Sequence, residues 1–306
     1  MTRRKKNKNL KGIPAVIVLI LALIGGFAER GNLMERISGE SAQNIADTVV
    51  TGQMRVTYLD VGQGDCTIIQ TEGHNAVIDA GNNHEGKEVV AYLNQQGIEK
   101  LDYLILTHPD ADHIGGGDDV LENIAVEQVI MPDVANDTMT YEEVVDDIKK
   151  KNIPVEHPKV GESFELGDAV FTVLCPEEDL IRENDTNDAS VGVKLVHGEN
   201  SFVMCGDAGE KSESAMVKRF GSALECDVLK CGHHGSRTST CEAFLKATNP
   251  TWAVISCGKD NSYGHPHQET LMRLDDDDVQ VYRTDQLGTV IATSDGTNIS
   301  WSCAKE

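Results

Sequence analysis

Four potential metal ligands fall within six residues at the end of an apolar run: His108, Asp110, Asp112 and His113 in THPDADHIGGG, residues 107–117. Imidazole nitrogen and carboxylate oxygen both bind divalent cations well, and two such pairs on one tight loop can hold two ions. Gly115, Gly116 and Gly117 follow, and their missing Cβ atoms are expected to let the backbone turn tightly into the next helix. Another carboxylate, Asp207, closes the run FVMCGDAG. Alone, a Gly-Asp pair after a strand is an ordinary turn. It gains meaning from CGHHGS, where His233 and His234 sit between Gly232 and Gly235, and from YGHPH, which carries His265 and His267. The competing readings are an acidic surface turn with incidental histidines and a surface histidine pair. Two divalent ions about 3.5–4 Å apart can activate a water and stabilise charge growing on a phosphoryl or acyl oxygen. Hydrolysis is the reaction class this implies. Which of His233 and His234 is the ligand stays open.

The elements that must position these residues are short β-rich runs closed by Gly, Asp or Asn, at 54–61, 66–70 and 75–81. A helix follows at 86–97, with Val89, Val90, Leu93 and Ile98 at helical spacing, and then the apolar strand 101–107. The alternation continues with strands at 126–131, 169–175, 190–197, 201–206, 227–232 and 252–258, and helices at 141–151, 210–220, 241–248 and 268–274. Final strands lie at 288–293 and 298–303. About a dozen strands with several helices pack most economically as a layered α/β sandwich.

At 306 residues the chain can bury one large catalytic domain, expected at 53–306. Residues 1–11 hold six basic side chains and no acid, so the remainder of a chain with net charge −23 carries about −29. An acidic body of that kind has no overall attraction for nucleic acid. Residues 12–28 are uncharged and at 1.5 Å per helical residue reach about 25 Å, near the lower limit for crossing a bilayer. The span reads as a signal anchor, with a basic cytoplasmic flank at 1–11, a tether at 29–52 and the catalytic domain outside the cytoplasm. Gly26 and Ala28 leave cleavage and secretion as the alternative. The eight cysteines form no CxxC pair, which argues against a zinc ribbon or a thioredoxin-like site and leaves their redox state open.

In order along the chain, YLDVGQGDC, VIDAG, THPDADHIGG, NDASVGVKL, CGDAG, LKCGHHGS and YGHPH resemble the metallo-β-lactamase superfamily, and more closely its ComEC-like branch, the hydrolase domain attached to competence-related DNA-uptake channels. The resemblance runs from about Met54 to Ser302. It implies a four-layer αββα sandwich, here preceded by a single transmembrane helix, with the site at one edge of the two sheets. It also implies that His108 and Asp110 ligate one metal, Asp112 and His113 the other, with Asp207 bridging and His234 completing the second metal's shell, which leaves His233, and after it His265, to donate a proton to the leaving group. Asp65 and Asp79 match positions that orient ligand histidines, and Asn187, Ser190 and Ser236 fall where substrate or an outer contact would lie.

Two departures bear on the chemistry. The commonest superfamily pattern is HxHxDH, and Asp110 stands at its second histidine, a change shared by the branch. The harder oxygen donor admits manganese or magnesium beside zinc. The mid-chain histidine of many members has no counterpart, since NDASVGVKL offers only Asn187, Asp188 and Ser190. The resemblance points to a phosphodiester substrate such as DNA, while the acidic body lacks the basic groove strand binding uses. A hydrolase of another ester, a lactam or a cell-envelope phosphodiester such as a choline-bearing polymer is the alternative, and a non-catalytic binding module keeping the fold is a third. With one apolar span, the chain is expected to be a stand-alone relative and not itself a pore. His74, His84, His157 and His197 match no motif and read as surface residues.

Overall fold

Alternation of side chains along the strands decides which layer each residue enters. In the strand Thr67–Thr71, Ile68 faces a helical layer while Ile69 faces a second sheet. In Asn200–Met204, Phe202 and Met204 point between the sheets and Val203 points out to other helices. The structure, a computed structural model, describes residues 49–181 and 185–305.

The first sheet contains β1 (Met54–Tyr58), β2 (Thr67–Thr71), β3 (His74–Ile78), β4 (Lys100–Ile105), β5 (Ala125–Ile130), β6 (Val155–Glu156), β14 (Val290–Ser294) and β15 (Ile299–Cys303), in the order β15-β14-β1-β2-β3-β4-β5-β6. The second contains β7 (Ser163–Leu166), β8 (Ala169–Cys175), β9 (Gly192–His197), β10 (Asn200–Met204), β11 (Val228–Lys230), β12 (Trp252–Ile255) and β13 (Gln280–Arg283), in the order β13-β12-β11-β10-β9-β8-β7. Helices α1 (Gly86–Gln95), α3 (Gly117–Asn123) and α4 (Met139–Lys151) cover the outer face of the first sheet through Val89, Leu93, Val120, Leu121, Val144 and Ile148. A single turn, α5 (Glu178–Ile181), follows β8, and helices α6 (Glu210–Phe220), α7 (Glu242–Thr248) and α8 (Gln268–Asp276) cover the second sheet through Met216, Phe244, Leu245 and Leu274. The order of layers is therefore αββα.

α4 shows how the local sequence sets a layer. Thr138 Oγ1 accepts from the Tyr141 amide and caps its start, worth about 1 kcal/mol. Val144 and Ile148, one turn apart, bury its inner face at roughly 1.5–3 kcal/mol each. Lys149, Lys150 and Lys151 favour the negative end of the helix dipole, and Asn152, in the left-handed region at φ 54, ends it.

The structure departs from the sequence reading in three places. β6, β7 and β13 arise where no strand is expected; all three are short, and each lies at a sheet margin. The expected strand 190–197 begins only at Gly192, which frees Ser190 from the ladder. His197 is not a surface residue: it is buried, with Nδ1 against Ser294 Oγ at 2.8 Å and Nε2 against Asp168 at 3.2 Å, so it ties the two sheets together. His74, His84 and His157 are exposed.

The expected transmembrane helix at 12–28, its basic flank and residues 29–48 of the tether lie outside the described residues. Among the described residues no helix is long and apolar enough to cross a membrane. All eight cysteines are free thiols, and all but Cys241 and Cys303 are buried.

Candidate metal centre

β3, β4 and β5 run parallel in one sheet, and β10, β11 and β12 run parallel in the other. The segments leaving their C-terminal ends carry Asp79, the 107–117 motif, Asp207, His233 and His234, and His265. Antiparallel β2 contributes Asp65 just before its start. Functional side chains from six strands thereby meet at one edge.

Asp79 organises the floor of the site. Its backbone is left-handed at φ 58, and its carboxylate accepts from the Thr107 amide and hydroxyl, both at 2.8 Å, and from His113 Nδ1 at 2.7 Å. A carboxylate only accepts, so His113 carries a proton on Nδ1 and turns Nε2 inward, the nitrogen left to ligate a cation. The Ser256 carbonyl, 3.0 Å from His234 Nδ1, fixes that ring in the same way. Thr107 Oγ1 spends its proton on Asp79 and so accepts from His108 Nδ1 at 3.1 Å. All three imidazoles thus turn Nε2 inward. Each Nε2 is buried and, among the described residues, has no hydrogen-bond partner; the same holds for Asp207 Oδ1. Left without a cation, buried acceptors facing one another are costly. The residues present fit a metal centre.

His113 Nε2 lies 3.1 Å from Asp207 Oδ1, and His234 Nε2 lies 3.6 Å from Asp207 Oδ2 and 3.3 Å from Asp112 Oδ2. His108 Nε2 is 3.8 Å from Asp110 Oδ2, and the His108 and His113 rings are 4.1 Å apart. Burial opposes charge on Asp207, yet His113 and His234 outweigh it and hold its pKa well below the carboxylate range. Burial likewise opposes charge on His113, and Asp207 and Asp79 carry its pKa well above the ordinary value, so a divalent ion taking up Nε2 would displace a proton held between that nitrogen and Asp207. His108, dominated by burial and then by neighbouring His113, is pushed down to about 3.

Asp112 and His113 do not sit in a loop. They belong to a single helical turn, α2 (Ala111–Ile114), whose N-cap Asp110 makes no side-chain capping bond. The following glycines serve close approach more than conformational freedom: φ is −60 at Gly115 and −86 at Gly116, ordinary for any residue. A Cβ at Gly115 would lie 2.3 Å from the Asn83 amide nitrogen, and one at Gly116 would lie 2.3 Å from the Ala80 carbonyl oxygen. At His233 and His234 the reverse holds, with left-handed φ of 50 and 53 splaying adjacent rings to different positions. His233 Nε2 is 3.6 Å from Asp207 Oδ2, and its side chain is 27 % exposed. His265 packs 5.4 Å from the His233 ring; burial first, then His234 and His233, push its pKa down to about 4, so it is neutral near pH 7.

Asp65 stands further inward than an orienting residue needs to. One ligand atom each from Asp65, His113, Asp207 and His234 lie within 4.8 Å of one another, all four residues buried. The Asp65 amide donates to the Asp112 carbonyl at 3.1 Å, which docks its loop on α2. Ser190 Oγ accepts from the Asp207 amide at 3.2 Å, and Asp188 caps the start of α6, so both hold the Asp207 turn. Asn187 bonds through its amide to Asp185, and Ser236 turns its hydroxyl to Thr238 at 2.9 Å within the loop after the histidine pair. Lys230 escapes the sequence reading: it is buried and ion-paired to Asp65. Its signal was a lone cation in the apolar run VLKCG just before the histidine pair.

A family description, the metallo-beta-lactamase superfamily, matches residues 59–259. The chain belongs to that superfamily. Its metallo-β-lactamase domain is 31 % identical over 259 residues to ComE operon protein 3 of Bacillus subtilis (strain 168), covering 79 % of this chain and 33 % of the relative. It is 32 % identical over 225 residues to Recombination protein 2 of Haemophilus influenzae, covering 72 % and 26 %, and 30 % identical over 254 residues to Competence protein ComA of Neisseria gonorrhoeae, covering 80 % and 33 %. These relatives agree with the ComEC-like branch, and the chain spans about a third of their length or less. Among solved structures, the metallo-beta-lactamase fold protein YhfI from Bacillus subtilis superposes with a TM-score of 0.53 at 13 % identity, over 79 % of this chain and 99 % of that one. CmlA from Streptomyces venezuelae, a diiron β-hydroxylase, does so at 0.50 and 13 %, over 75 % and 52 %. At that identity the likeness concerns the fold alone.

Proposed function

We propose that the chain is an extracytoplasmic metal-dependent phosphodiesterase, with a nucleic acid strand as its first candidate substrate. The observation that carries the reading is the convergence of the buried Nε2 atoms of His113 and His234 upon Asp207, with His108 Nε2 turned to Asp110 beside them and each ring holding a proton on Nδ1. His108 and Asp110 would hold one divalent ion, Asp112, His113 and His234 the other, and Asp207 would contact both. Zinc or manganese suits these donors, and magnesium is compatible with the carboxylates. Bound there, the ions supply Lewis acidity toward a phosphoryl oxygen and lower the pKa of water. The protein's own work is to keep the three rings in the ligating tautomer, to exclude solvent from the buried side of the site, and to offer a proton. His233 is placed for the last task, partly exposed and held near Asp207. The competence-related names of the relatives support a phosphodiester, and the basic flank before the apolar run at 12–28 supports a domain outside the cytoplasm.

One observation favours a second substrate class. The net charge of −23 opposes long polyanions, whereas a cell-envelope phosphodiester bearing cationic groups such as choline suits an acidic surface. The deciding experiment is metal analysis of the purified protein, followed by turnover of bis-p-nitrophenyl phosphate, single- and double-stranded DNA, a choline phosphodiester and a β-lactam. Phosphodiester turnover that disappears with chelator and returns with zinc or manganese is expected. A metal-loaded protein inert on every phosphodiester but active on the lactam would overturn the proposal.

A further inference from the structure

Among the described residues Lys230 is the one buried Lys or Arg, 4 % exposed at the end of β11. Its strand neighbours show which way it points. Val228 faces the layer between the sheets and Leu229 the outer helices, so by alternation Lys230 faces the inter-sheet layer with Val228. There its Nζ meets Asp65 Oδ2, a carboxylate delivered by the first sheet from just ahead of β2. The ion pair therefore crosses from sheet to sheet directly beneath the candidate centre, and its Asp65 partner is one of the four residues whose ligand atoms lie within 4.8 Å of each other. Asp79 already has three hydrogen-bond donors of its own. Asp65 has no comparable set: the His113 and His234 Nδ1 atoms lie 4.0 and 3.9 Å away with their protons committed to Asp79 and the Ser256 carbonyl, and among the described residues Lys230 is the one lysine or arginine paired with it.

We infer that Lys230 is a resident counter-cation: its ammonium pairs with Asp65 across the sheets and keeps that carboxylate aimed at His113, Asp207 and His234, so that the two sheets present a preformed carboxylate-rich site before any divalent ion arrives. It is a positioning residue, and the inference rests on the metal-centre reading above. Removing one partner of a buried ion pair is costly because the other charge is stranded. A divalent ion bound beside Asp65 relieves that stranding, while a mere loss of packing is felt equally with and without metal.

The experiment compares wild type, Lys230→Met and the double variant Lys230→Met/Asp65→Asn in the full chain. Thermal midpoints are measured after chelation and again with saturating zinc or manganese, and metal affinity is measured by competition with a chromophoric chelator. Lys230→Met is expected to lose roughly 5–10 °C more in the chelated state than in the loaded state, and the double variant to regain most of the chelated-state loss. Folding of Lys230→Met only in the presence of metal counts as the same result in stronger form. Equal losses in both states overturn the inference, as does a double variant no more stable than Lys230→Met or unable to fold. Wild type that neither binds these ions nor shifts its midpoint with them would instead sink the metal-centre reading.

Discussion

Asp79→Asn tests how the site sets its histidines, because it alters charge and proton inventory with almost no change in shape. Asparagine tolerates the left-handed backbone at φ 58 as well as aspartate does, so no backbone cost is expected. The amide oxygen can keep the Thr107 amide bond made by Oδ1, which puts the new NH2 where Oδ2 accepts from Thr107 Oγ1 and from His113 Nδ1. Thr107 can rotate its hydroxyl and accept. His113 must give up its Nδ1 proton to do so, and the proton then resides on Nε2, the atom aimed at Asp207. A protonated Nε2 cannot ligate. Loss of such an orienting carboxylate typically costs 10–100-fold in metal affinity, about 1.4–2.8 kcal/mol. The assay is chelator competition for zinc and manganese, paired with thermal melts after chelation, where the variant should stay within ~3 °C of wild type. Wild-type metal affinity in Asp79→Asn would refute the tautomer reasoning, and a collapse of the chelated protein would show that Asp79 acts mainly on folding.

Asp207→Ala should lose bound metal and phosphodiesterase turnover together, whereas His233→Ala should keep its metal and lose turnover by about 10²-fold or more; metal loss in His233→Ala would reverse the roles of the adjacent histidines. Gly116→Ala should fold poorly, with its Cβ placed 2.3 Å from the Ala80 carbonyl oxygen, and soluble expression with an unchanged midpoint would contradict that packing. Glu213 is buried on α6 and accepts from the Thr240 and Cys241 amides; desolvation outweighs these bonds and raises its pKa from 4.5 to about 7. A carboxyl with a raised folded pKa binds its proton more tightly in the native state, so its contribution is greatest below pH 4.5 and declines as pH rises to about 7, by ~3 kcal/mol. Denaturant titrations at pH 5 and pH 8 should show a smaller stability difference for Glu213→Gln than for wild type, and equal differences would dismiss Glu213 as the source.

The sequence made most of the cluster at the sheet edge readable because histidine and aspartate sit where strands stop. His108, Asp112, His113, Asp207 and His234 follow apolar runs directly, and the two-sheet core follows from alternation such as Ile68 with Ile69. Lateral relations were hidden. That Lys230 faces Asp65 depends on how two sheets stack, a relation between residues 165 positions apart that no local period encodes. The same holds for His197, whose partners Asp168 and Ser294 come from distant segments. Gly115 and Gly116 were legible as special but for another reason: the constraint is the nearness of residues 80 and 83, not a backbone angle. β6, β7 and β13 form through pairing at sheet margins, with too few apolar residues to announce a period.

The eight unpaired cysteines give the chain two chemical personalities. Burial pushes the Cys226 and Cys231 thiols up to about 12 and raises Cys66 as well, so these three offer almost no thiolate near neutral pH while the chain is folded. Thiolate is the species that attacks disulfides and oxidants. An unfolded molecule exposes eight ordinary thiols with pKa values near ~8.5. Wherever surroundings are oxidising, each excursion from the native state therefore risks capture by cross-linking before the sheets close again. Under those conditions the working lifetime of the protein is governed by its unfolding rate, and the supply of active molecules by how quickly newly made chains bury their sulfur.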